Sequence, residues 1–143
     1  MPDNIERRVR TSFEKQGFMQ LIGAEVVAVG PGHCRIAVPF SEAVTQQHGF
    51  FHGGLTATLA DNAAGFAGFT LMSDDEQPLS VEFKINFVAP AAGSQMEARA
   101  RVVRNGRRLK HVQVEIFAIQ GEDESLVALA LATITATRAV VEQ

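Results

Sequence analysis

Between Gly53 and Met72 the chain reads GGLTATLADNAAGFAGFTLM, and Asp61 is the one charge in the run. Leu55, Ala57, Leu59, Ala60, Ala63, Ala64, Phe66, Ala67, Phe69 and Leu71 would surround the axis of a helix rather than follow one stripe. A helix apolar on every side is a buried helix. Its roughly 20 residues at ~1.5 Å each would span ~30 Å, the width of a small domain. The glycines and the acid in mid-run argue against a bilayer span, where an ionised side chain is costly. The rest of the chain therefore has to wrap around this segment.

The flanking sequence supplies strands that can do so. His33 to Phe40 sets Cys34, Ile36 and Val38 against His33, Arg35 and Ala37. Ser80 to Val88 sets Val81, Phe83, Ile85 and Phe87 against Ser80, Glu82, Lys84 and Asn86. Gln95 to Arg104 and Arg108 to Ile119 alternate in the same way, and Glu124 to Arg138 closes as a long strand of Ala, Leu and Thr. A period of two marks strands with one apolar face. Met19 to Val29 reads as a further strand, joined to His33–Phe40 by the Gly30-Pro31-Gly32 turn as a hairpin. Further turns fall at Pro90 to Gly93, at Asn105-Gly106, which signals a two-residue hairpin, and at Gly121. In residues 3–17, Ile5, Val9 and Phe13 form one stripe of a short packing helix, with Gly17 expected in the left-handed conformation that ends helices. The expected architecture is α+β: an antiparallel sheet of five to six strands wrapped around a long central helix, with a short N-terminal helix, in one domain spanning residues 1–143.

Composition narrows the function. Thirteen Lys and Arg against sixteen Asp and Glu leave a net charge of −3, without the basic excess of a nucleic-acid-binding domain. The single Cys34 forms no intrachain disulfide and no Cys-rich zinc site. His33, His48, His52 and His111 are too scattered for metal-ligand spacing, so neither metal nor cofactor is expected. No apolar run suits a bilayer, and the amphipathic N-terminus carries acids throughout, unlike a signal or transit peptide. A cytoplasmic protein with no membrane partner is expected.

Chemistry concentrates at the entrance to the apolar run, Gln46-Gln47-His48-Gly49-Phe50-Phe51-His52-Gly53-Gly54. A helix N-terminus carries unpaired N–H groups and partial positive charge, and glycines there let a ligand atom approach. Such an end holds an anion or a developing oxyanion, although a tight structural turn would use the same residues. Asp61 lies almost two turns from Gly54 on the same helix face. A lone carboxylate on an apolar helix calls for a partner or a function. The seven residues from Gly54 to Asp61 span ~10.5 Å, whereas reacting groups act within ~3–3.5 Å. If both serve one reaction, two chains must supply them, and a homo-oligomer follows.

The combination Gln46-x-x-Gly49-x-x-His52-Gly53-Gly54 with Asp61 resembles the hotdog-fold thioesterases of the phenylacetate-pathway and human thioesterase-superfamily-member-2 type. Ser80-Val81-Glu82-Phe83 and the Gly106-Arg107 turn are similar to strand positions of that family. The resemblance implies hydrolysis of acyl-CoA thioesters by a dimer or dimer of dimers. It implies that Gly53 donates its N–H to the thioester carbonyl, that His52 braces the loop, and that Asp61 acts as general base or nucleophile. Ser80 would hold Asp61 or the attacking water. Gln46 stands where the family has Asn, one methylene longer, which leaves Gln47 and His48 as alternatives for that role. Gly54 and Phe51 would line the substrate site. Arg107 and Arg108, with Arg104 and Lys110, would meet the phosphates of CoA or serve as a solvated turn. Phe50, Phe66 and Phe69 would line an acyl pocket or pack the core. Two rival functions share the fold, a non-catalytic acyl-CoA-binding regulator and a hydratase or dehydratase. Asp61 counts against the first, and the lack of a His paired with an acid in a different motif counts against the second.

Overall fold

The computed structural model describes residues 2–138, so residue 1 and residues 139–143 of the expected domain lie outside it. Two helices, α1 (Pro2–Glu14) and α2 (Gly17–Leu21), precede a hairpin of β1 (Glu25–Gly30) and β2 (His33–Pro39). A short 3-10 turn at Glu42–Val44 leads to the long helix α3 (Gly53–Phe69). Four strands follow: β3 (Glu76–Phe87), β4 (Gln95–Asn105), β5 (Leu109–Gln120) and β6 (Asp123–Arg138). All six pair antiparallel in one sheet of order β1-β2-β4-β5-β6-β3, the expected hotdog arrangement around α3. Among the described residues no helix is long and apolar enough to cross a membrane.

The alternation read from the sequence fixes which side of the sheet meets α3. Cys34, Ile36 and Val38 of β2, Met96 and Ala98 of β4, and Val112, Val114 and Ile116 of β5 are fully buried. Leu55, Leu59, Ala63 and Phe66 of α3 complete this core. Each buried Val, Leu, Ile, Met or Phe contributes on the order of 1.5–3 kcal/mol. The alanines of α3 let the sheet approach closely. At Gly68 a Cβ would already touch the Ile134 side chain at 3.4 Å.

Four details depart from the sequence reading. Gly17 does not cap α1 in the left-handed region. It opens α2, and α1 ends through Lys15 and Gln16 N–H bonds to the Ser12 and Phe13 carbonyls. Met19 to Leu21 are therefore helical, and the strand begins only after Gly23, whose φ is +75°. Gly106 donates its N–H to the Leu109 carbonyl, so Gly106, Arg107 and Arg108 make a three-residue connection rather than a two-residue Asn-Gly turn. Finally, α3 stops at Phe69, three residues before the expected end, and is not buried on every side. Gly54, Ala57, Thr58, Asp61, Asn62 and Gly65 form a partly or fully exposed stripe facing away from the core.

β3 is the other unfinished surface. Among the described residues it pairs only with β6, and its far edge is open. Pro78 lies within it, as suits an edge strand that lacks a second ladder. Leu79 and Val81 are each 58% exposed and Phe87 57%, so these three are not covered by the chain itself, whereas Ile85 packs against the core.

Candidate active site

The entry to α3 is held from both sides. Phe51 donates its N–H to the Ala91 carbonyl and His52 to that of Val44, each at 2.9 Å. Gly49, at φ +84°, turns the loop between them. Gln46 organises this loop: its Oε1 accepts the N–H groups of His48 and, at 3.4 Å, of Phe50.

The amides at the start of α3 can be counted one by one. His52 is the N-cap, and its Nδ1 accepts the Gly54 N–H at 2.8 Å. The His52 carbonyl accepts from Leu55 and Thr56 at 3.0 and 3.3 Å. Only the Gly53 N–H is left without a partner among the described residues. Gly54 must be glycine for the cap to close, because a Cβ there would lie 2.9 Å from His52 Nδ1. Gly53 lines a cleft of roughly 530 Å³ with Gln46, Phe50, Phe51, Thr56 and Phe87, among others. A single unpaired amide at a helix N-terminus therefore opens on a largely apolar space, where a hydrogen bond to developing negative charge is worth most.

Asp61 belongs to a second, smaller recess. Ser80 Oγ donates to Asp61 Oδ1 at 2.6 Å, which orients the carboxylate and leaves Oδ2 unspent by that bond. Gln16, Asn62, Gly65, Phe66 and Pro78 line the remainder of this recess of about 120 Å³. Cleft and recess share no lining residue. Eight residues separate Gly53 from Asp61, ~12 Å along the axis.

The remaining sequence candidates divide between these places. Phe50 and Phe51 line the cleft, and Phe51 packs edge-on against Phe40 at 5.4 Å. Phe66 packs against Phe13 and Phe69, which ties α1 to α3, and also forms a wall of the Asp61 recess. Phe69 lies under the Arg8 guanidinium and is core. Gln46 is among the cleft-lining residues, whereas Gln47 and His48 are not. Arg107 and Arg108 are exposed at the β4–β5 connection. Strand register places that turn on the Asp61 side of the molecule, since Lys110 pairs with Ile134 and Ile134 with Ser80. Lys110 itself is buried and donates to the Gly106 carbonyl, so it braces the turn rather than offering a free cation. Sequence reasoning did not single out Phe87, Val88 and Val127 as cleft walls, or Gln16 and Asn62 beside Asp61. Phe87 carried only the signal of strand alternation, and Gln16 carried none.

Known proteins resemble this chain in sequence and in fold. Residues 48–125 match the model of the thioesterase superfamily. A 1,4-dihydroxy-2-naphthoyl-CoA hydrolase of Listeria monocytogenes is 30% identical over 118 residues, covering 82% of this chain and 94% of that protein. Human acyl-coenzyme A thioesterase 13 is 28% identical over 119 residues, covering 81% and 84%. The crystal structure of a thioesterase family protein from Silicibacter pomeroyi superposes with a TM-score of 0.92 at 38% identity, covering 94% of this chain and 99% of that one. The family match spans the loop from His48 into α3, all of α3 and the strand that carries Ser80, and on these grounds the chain belongs to the thioesterase superfamily of thioester hydrolases.

Proposed function

We propose that the protein hydrolyses acyl-CoA thioesters to the free acid and CoA, in a site built from two copies of the chain. The observation that carries this reading is the separation of two half-sites on one helix: an unpaired Gly53 amide facing a cleft, and an Asp61 carboxylate held by Ser80 two turns further on. Antiparallel pairing of β3 with β3 of a second copy would cover both exposed surfaces at once. It would extend the sheet across the open edge, and the stripe of Gly54, Ala57, Thr58, Asp61 and Gly65 would face its counterpart. Small residues on that stripe leave room for a close approach. Asp61 of one copy then meets the Gly53 cleft of the other.

In such a site the thioester carbonyl oxygen accepts the Gly53 N–H. Asp61 of the second copy takes a proton from water as the water oxygen bonds to the carbonyl carbon. The oxyanion that forms is held at the helix N-terminus, and its collapse breaks the C–S bond and releases CoA as thiolate. His52 holds the Gly54 amide and thereby the entry turn. Gln46 holds the loop that lines the cleft. Phe51 with Phe50 and Phe87 keeps the cleft apolar, and Arg107 and Arg108 supply cations for the phosphates of CoA. The names of the relatives support CoA as the thiol carrier.

The test is a thiol-trapping assay over a panel of acyl-CoA thioesters with wild type and Asp61→Asn. Loss of the carboxylate should lower kcat by ~10²–10⁴-fold, while a non-hydrolysable acyl-CoA analogue still binds by calorimetry. Full activity in Asp61→Asn would refute the role of the carboxylate. Binding without hydrolysis by the wild type across the panel would instead identify a binding module.

A further inference from the structure

The Asp61 recess holds one lining side chain that hydrolysis does not use and that comes from a distant part of the chain. Gln16 lies between α1 and α2 in extended conformation, φ −86° and ψ 98°. Its carboxamide reaches α3, where Asn62 Nδ2 donates to Gln16 Oε1 at 3.0 Å. That bond occupies the oxygen end of the Gln16 amide. The nitrogen end, which carries two donors, makes no hydrogen bond among the described residues. Asn62 Oδ1 is buried and also lacks a partner. Two side-chain amides that served only to clamp α3 to the N-terminal helices could satisfy each other through two reciprocal bonds. This pair makes one: the buried Asn62 Oδ1 is left without a partner, which is uncommon enough to need a reason, and the half-buried Gln16 amide keeps its donors free for water or a ligand in the recess.

Asp61 and Ser80 form one polar wall of the recess, and the rest is apolar or absent. Phe66 and Pro78 enclose it, and at Gly65 even an added Cβ would meet nothing within 4 Å. Its volume of about 120 Å³ is close to that of a cavity that takes benzene, ~150 Å³. Pantetheine and the nucleotide of CoA are far too large for it. A small acyl group, with its thioester at Asp61, is not.

We propose that Gln16 is a specificity-determining residue, whose amide N–H groups, oriented by Asn62, recognise an oxygen substituent at the far end of a small acyl group. The inference rests on the acyl-thioester reading above. Its physical basis is rejection as much as attraction. An apolar acyl group entering the recess strips water from the Gln16 donors and returns nothing, whereas a substituent oxygen restores the lost bond.

The experiment measures kcat/KM for benzoyl-CoA against 3- and 4-hydroxybenzoyl-CoA, and for hexanoyl-CoA against 6-hydroxyhexanoyl-CoA. Wild type, Gln16→Leu and Gln16→Met are compared, the last being unbranched and close to Gln in length, and all are checked for folding by thermal melting. For each set that the wild type turns over, a hydroxylated substrate should be preferred by ~10-fold, as one neutral hydrogen bond provides. Both variants should bring that ratio close to one. An unchanged ratio in the variants, an equal fall for both members of a pair, or no preference in the wild type would overturn the inference and leave thioester hydrolysis standing. Absence of hydrolysis of every acyl-CoA by the wild type would overturn both.

Discussion

His52, Gly53 and Gly54 share one turn of chain and divide its hydrogen bonds unequally. The cap takes the Gly54 amide, the His52 carbonyl takes the next two, and the Gly53 amide remains. Gly53→Pro isolates this donor. Proline at the first helical position keeps a helical φ and removes an N–H that no group among the described residues uses, and His52 already has the extended ψ of 137° that a following proline needs. The variant should fold and lose ~10²–10³-fold in kcat, measured by steady-state hydrolysis alongside a melting curve. Wild-type turnover in Gly53→Pro would remove the amide from the mechanism. Cys34 gives a second prediction at this scale. Burial pushes its thiol up to about 12, against a small opposing effect of Arg10, so it stays protonated through the neutral range. Iodoacetamide at pH 8 should label it only in the unfolded chain, and rapid labelling of folded protein would contradict the burial. Asp61 and its Ser80 partner were legible in the sequence, the first as a charge in an apolar run and the second through resemblance. Gln16 was not, because 46 residues separate it from Asn62 and only the folded chain brings them together.

Elements show where patterns read well and where they misled. The strands were visible because one face of each is buried, so alternation survives in Ile36, Met96, Val114 and their neighbours. α3 was read as apolar all round, yet glycine and alanine are as compatible with a close approach by another surface as with burial. Its stripe from Gly54 to Gly65 is exposed in the single chain. Gly17 and Gly106 misled because a glycine punctuates the chain without saying how. Gly17 starts a helix, and Gly106 enters a three-residue connection without a positive φ. β3 joins these themes, since its alternation is clear but Leu79, Val81, Phe83 and Phe87 are exposed and only Ile85 packs against the core. Val81→Lys places a charge on that edge at a position the single chain leaves open. The folded monomer should survive with little loss of stability. Light scattering should show dissociation of the oligomer, and activity should fall with it. A monomeric Val81→Lys protein with full activity would sever assembly from catalysis.

For the whole molecule, the cleft at Gly53 lies at the start of α3 and the recess at Asp61 at its middle, ~12 Å apart along the axis and sharing no lining residue. In the proposed assembly a second copy would resolve the distance, through the same contacts that would finish the sheet and cover the stripe on α3. The central claim is that each site takes Gly53 from one chain and Asp61 from another. It is tested most directly by co-expressing Gly53→Pro and Asp61→Asn chains, purifying the mixed oligomer and measuring thioester hydrolysis. Each variant alone should be nearly inactive. Random pairing in a twofold assembly makes half the dimers mixed, each with one intact site, so activity should return to about a quarter of wild type. A mixture no more active than its two components would mean that one chain holds the whole site, and would contradict the account.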